Sequence, residues 1–172
     1  MSDQRPTKIR VRALAIRPIL TAWVLTVGVD LFFNAGVFGP LFDQEREPSL
    51  LPDEQLFRRI PMAYLALLAG VTALAWIIES TDVVEVRRGI GVGVLTGVTF
   101  SLMGPVFLWT AVEMTGFFVA AGSLVVIVEF ASAAWVLAAF RTGPDASRLT
   151  RRVLLIALLS AVAAIVIQNL WA

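Results

Sequence analysis

The chain of 172 residues contains no cysteine and no histidine. Without cysteine there are no disulfides, no CxxC redox centre and no thiol nucleophile. Without histidine, bis-imidazole haem, the usual zinc sites, Ser-His-Asp triads and imidazole proton switches are excluded. Charge is scarce as well. Charged residues make up 16% of the chain, where a soluble domain carries roughly a quarter. Low-complexity tracts and internal repeats are also lacking, and the few loops leave no room for a separate soluble domain.

What remains is apolar. Hydrophobic residues account for 58% of the chain, and the mean hydropathy is +0.83. A globule of this length leaves roughly 30% of its chain surface exposed, so apolar surface on this scale must face lipid. A helix needs about 20 apolar residues to cross the hydrocarbon core. Five segments qualify, at about 18–42, 60–80, 89–112, 117–140 and 153–172. Pro18 and Pro61 stand near the starts of the first two, where a first helical turn tolerates proline. None of the five alternates apolar with polar residues as a barrel strand does. The reading is an all-α bundle of five transmembrane helices forming one domain over 1–172. The first segment is too long for a signal peptide and carries Asp30 midway, so it is expected to be retained.

The basic residues set an orientation. Arg5, Lys8, Arg10, Arg12 and Arg17 precede the first span. Arg87 and Arg88 follow the second, and Arg141, Arg148, Arg151 and Arg152 follow the fourth. All eleven fall on one side, against Arg46, Arg58 and Arg59 on the other. This places the N-terminus in the cytoplasm and the C-terminus outside. Each span also holds one tryptophan, and most of these lie near an expected interface, as does Tyr64. The outer loop, 43–59, begins acidic and holds Pro48 and Pro52. After Pro52, Asp53 to Arg59 reads as a short interfacial helix, with Glu54 and Arg58 spaced i,i+4.

Charges at bilayer depth are costly, and they tend to face the bundle interior. Asp30 and Glu129 are both expected near the midplane. Thr26, Asp30 and Asn34 recur every fourth residue and form one polar stripe. Ser101 reaches a similar depth on the third span. The expectation is a shared site of Asp30, Asn34, Glu129, Ser101 and Thr26. At least one of its carboxyls carries a proton, because two ionised acids in a low dielectric repel. The competing reading is polar glue between helices. Glu79 and Glu113, at span ends, read as interfacial anchors.

Gly89, Gly93 and Gly97, with Ser101, make a small-residue ridge on the third span, over which a neighbouring backbone can approach closely. As a nucleotide loop it is a poor match, since no strand precedes it. Gly104-Pro105 interrupts the outer half of the same span. Ala157, Ala161 and Ala164 give the fifth span a small-residue face.

Two functions fit these features. One is a small proton- or cation-coupled transporter or channel, oligomeric, built around the midplane carboxylates. The other is an accessory or structural subunit packing against a larger membrane complex. With no catalytic motif, no cofactor motif and no metal-ligand set, an enzyme is the weakest reading. The expected partners are membrane lipids and either further copies of the chain or another membrane protein. A net charge of +1 gives no footprint for nucleic acid. The expected location is the cell inner membrane, as a multi-pass protein.

Overall fold

The computed structural model describes residues 15–45, 53–143 and 145–171. Among them there are helices and turns and no strand. Helix α1 (Ile16–Asp30) continues through a π-helical stretch, Leu31–Val37, to α2 (Gly39–Glu45). Helix α3 (Asp53–Ser80) is uninterrupted. Helix α4 (Val86–Ser101) leads through a second π stretch, Leu102–Val106, into the short α5 (Phe107–Trp109). Two long helices, α6 (Gly116–Thr142) and α7 (Ala146–Trp171), complete the chain. Five helical segments are long and apolar enough to cross a membrane: Ile16–Phe42, Arg58–Ser80, Val86–Trp109, Gly116–Thr142 and Ala146–Trp171.

Helix ends depart from the apolar runs where local chemistry extends or stops them. Helix α7 begins seven residues ahead of its apolar run, because the Asp145 carboxylate accepts the Arg148 N–H at 2.8 Å and caps the polar first turns. Helix α3 likewise starts well ahead of Ile60, which puts Pro61 inside a helix instead of in its first turn. The third span stops at Trp109, where Thr110 and Ala111 turn back onto the Phe107 and Leu108 carbonyls. Gly104-Pro105 does not break that span, since a π turn carries the chain past the proline. Thr115 caps α6, its hydroxyl accepting from Phe118 N–H at 3.1 Å. The tail bases Arg5, Lys8, Arg10 and Arg12, with Arg46, Pro48, Pro52 and the Glu54 side chain, lie outside the description.

Helix α6 is the hub. It packs along α4 on one side and along α1 on another, and α3 leans on both α1 and α6. Helix α7 lies along α1 and barely reaches α6. Lipid tails are as apolar as leucine, so burial from water does not drive contact between helices in a membrane. Close packing does, and glycine sets where it occurs. A Cβ on Gly93 would fall 2.5 Å from the Phe130 carbonyl oxygen, and one on Gly97 would fall 2.7 Å from the Ile127 Cα. Gly89 would meet the Ala138 methyl at 2.5 Å. The α4 ridge is therefore occupied within the chain, by α6.

On the other side, Gly28 and Gly36 seat against Ala157 and Ala164, with a hypothetical Cβ 2.8 Å from either alanine Cα. Eight residues separate the glycines and seven separate the alanines. On two regular α-helices eight residues would swing Gly36 about 80° off the Gly28 face. The π stretch between them absorbs the extra residue. Its wide turn is visible in the Phe38 N–H bond to the Phe33 carbonyl, 2.7 Å. Pro40, just beyond, supplies a cause, because its ring has no N–H for Gly36 and would crowd that carbonyl in a regular helix.

Two arginines fasten the end of the bundle that carries the α6–α7 turn. Arg17 on α1 donates to the Thr150 hydroxyl and the Ala146 carbonyl of α7 at 3.2 and 3.3 Å. Arg141 on α6 donates to the Ile78 carbonyl of α3 at 2.8 Å and to Asp82 at 3.1 Å. At the opposite end Phe38 and Phe42 gather with Phe117 and Phe118, and the closest ring pair, Phe42 and Phe118, is 4.7 Å apart.

Candidate functional site

Asp30 is the last residue of α1, immediately before the π stretch. Glu129 is the central residue of the fourth span, Gly116–Thr142, and is only 5% exposed. The two carboxyls lie close to each other, one on α1 and one on α6. Asn34, one turn on from Asp30, donates its amide to Asp30 Oδ1 at 2.7 Å. The Tyr64 hydroxyl, from α3, donates to Asp30 Oδ2 at 3.2 Å. Tyr64 is itself tied to α1, since the Trp23 indole N–H donates to its carbonyl at 3.0 Å.

Three helices thus converge on one aspartate. Both of its oxygens are engaged by neutral donors, and the second carboxyl closes the group. No basic side chain is paired with either acid among the interactions described. Two carboxyls, a phenol and an amide oxygen are hard ligands, suited to a proton or to a cation that prefers oxygen. No group of three or more acidic side chains placed to hold a metal ion occurs among the described residues, and the group here has two carboxyls.

Of the residues singled out in the sequence, the structure brings Asp30, Asn34 and Glu129 together. Thr26 is buried one turn before Asp30, but its hydroxyl donates to the Ala22 carbonyl at 2.8 Å and not to the pair. Ser101 faces a different contact, donating to the carbonyls of Gly97 and Ser123 at 2.8 and 3.0 Å where α4 meets α6. Gly89, Gly93 and Gly97 line that same α4–α6 contact.

Tyr64 is the member that sequence reasoning placed elsewhere, as an interfacial anchor. One signal pointed to it. The chain has eleven phenylalanines and a single tyrosine, so its one phenol stands out against an aromatic complement that otherwise favours phenylalanine. Comparisons with protein-family models, with curated proteins and with solved structures give no match.

Proposed function

We propose that this multi-pass membrane protein binds a proton, or a small cation in exchange for it, at the Asp30–Glu129 pair, as the coupling site of a small transporter or channel. The placing of a buried Glu129 on α6 beside an Asp30 held by Tyr64 and Asn34 carries this reading. Packing alone is served by neutral hydrogen bonds, as at Ser101, and needs no second acid beside the first. Tyr64 and Asn34 hold Asp30 in place while its charge changes. The eleven-to-three asymmetry of basic residues supports an N-terminus in the cytoplasm and a C-terminus outside. The glycine ridge, occupied by α6, gives no independent support to the accessory-subunit reading.

The test is flux in reconstituted vesicles loaded with a pH-sensitive dye. Asp30→Asn and Glu129→Gln keep shape and most hydrogen bonds while removing a titratable proton. The expected result is folded protein with proton-coupled flux lost in at least one of the two. Unchanged flux in both variants, or no flux in the parent protein, would overturn the reading.

A further inference from the structure

Each of the three helices that meet at the carboxyl pair also lines a cavity at the arginine-fastened end of the bundle. This cavity, of about 400 Å³, is walled by Ile19 of α1, Ala75 of α3 and Phe140 of α6, with Glu79 and Arg141 among its polar lining. Ile19 and Asp30 are eleven residues apart, as are Ala75 and Tyr64, and Phe140 and Glu129. Eleven residues make three helical turns, to within about 20°, and a rise of about 16 Å. On all three helices, then, the residue lining the cavity and the residue in the site share one face. Cavity and site are two levels of the same three-sided seam.

The contacts that hold the seam differ from those on either side of it. The close glycine approaches to backbone from another helix join α1 to α7 and α4 to α6. Between α1 and the α3–α6 pair, the described hydrogen bonds are those of Trp23 and Tyr64. The packing between the two levels combines small residues, Ala22 on α1 and Ala133 on α6, with the buried Val71 of α3, Leu137 of α6 and the Thr26 hydroxyl.

We propose that this seam is the access route of the site: the cavity is a water-filled vestibule, and protons or small cations reach Asp30 and Glu129 from the Arg141 end by passing Thr26. The proposal rests on the ion-site reading and adds to it the side of entry and the path.

The absence of cysteine makes the test direct, since any single cysteine is the only thiol in the chain. Ala75→Cys probes the vestibule wall. Thr26→Cys, a near-isosteric change, probes the path. Val153→Cys, fully buried on α7, is the control away from the cavity. Each variant is exposed to a membrane-impermeant, cationic methanethiosulfonate reagent from either side of sealed vesicles. The expected result is modification of Ala75→Cys and Thr26→Cys from the Arg141 side only, with Thr26→Cys reacting about tenfold or more faster than Val153→Cys, because local opening governs access to buried positions. Modification of Thr26→Cys no faster than the control, or from the opposite side, overturns the route, and does so even where Asp30→Asn abolishes flux. Labelled Thr26→Cys together with full flux in both Asp30→Asn and Glu129→Gln overturns the ion-site reading and supports the route as a water-filled crevice.

Discussion

Gly28 of α1 and Ala157 of α7 approach so closely that a Cβ on the glycine would sit 2.8 Å from the alanine Cα. The neighbour there is backbone and cannot rotate away. Gly28→Ala is therefore expected to push the helices apart and to cost about 1–3 kcal/mol, the range for overpacking. Gly91 is the matched control. It sits mid-helix with nothing within 4 Å of a hypothetical Cβ, so Gly91→Ala is expected to be neutral or to stabilise by up to about 1 kcal/mol through helix propensity. Thermal unfolding of the two variants in one detergent checks both signs.

Tyr64→Phe removes the hydroxyl that donates to Asp30 and leaves the ring. The expected loss is about 0.5–1.5 kcal/mol, one hydrogen bond, with the fold intact. In the ion-site reading the same change also alters flux, because Asp30 loses a fixed donor. A Tyr64→Phe protein with lowered stability and unchanged flux would confine the phenol to a structural role.

Arg141 offers a comparison of two bonds on one side chain. Its partner Asp82 is 92% exposed, and such pairs contribute about 0–1 kcal/mol. Its other partner, the Ile78 carbonyl near the end of α3, has a half-buried setting. Arg141→Ala is therefore expected to cost more than Asp82→Asn, about 1–3 kcal/mol for the carbonyl left without its charged donor. Asp82 has a left-handed φ of 52°, so Asp82→Gly is expected to be tolerated. Unfolding midpoints of the three variants give the order directly.

Asp145 supplies a pH prediction outside the spans. The backbone N–H of Arg148 holds its carboxyl below the usual aspartate range against an opposing effect of desolvation, with further help from the Arg148 charge, the Ser147 N–H and the Arg151 charge. A depressed folded value means that the contribution is present above the ordinary aspartate pKa of about 4 and is lost as pH falls through the lowered value. Exchange protection in the first turn of α7 should therefore hold down to about pH 4 and decline below it. Asp145→Ala should lower that protection at neutral pH and remove its acid dependence.

The orientation is checked by reporters at the two ends of α6. A fusion after Glu113 should report the outside and one after Ser147 the cytoplasm. Both on the same side would end the five-span topology.

Hydropathy made the five spans legible, because a run of twenty apolar residues has few alternatives in water or lipid. It did not give their true ends. Asp145 and the polar turn after it extend α7 through a cap, which is local hydrogen bonding and not hydropathy. Depth along a helix was also readable, and it is why Asp30 and Glu129 were singled out together. Direction around the axis was not. Ser101 and Thr26 have suitable depth, yet each bonds to a backbone carbonyl away from the pair. Tyr64 near a span end has the same sequence signature whether it anchors in headgroups or bends inward to an acid. Only the position of α1 beside α3 separates these cases.

The π stretch at Leu31–Val37 gives the first span one residue more than its partner needs. In a crystal lattice such a surplus would be called a dislocation, and here it is pinned, by Pro40 on one side and by the seating of Gly28 and Gly36 on Ala157 and Ala164. Its wide turn keeps the backbone bonded within the helix, so no group is left bare to lipid. The surplus lies directly beside Asp30 and includes Asn34, the residue that holds one oxygen of that aspartate. The phase of the helix is thus reset just where the acid and its amide partner stand.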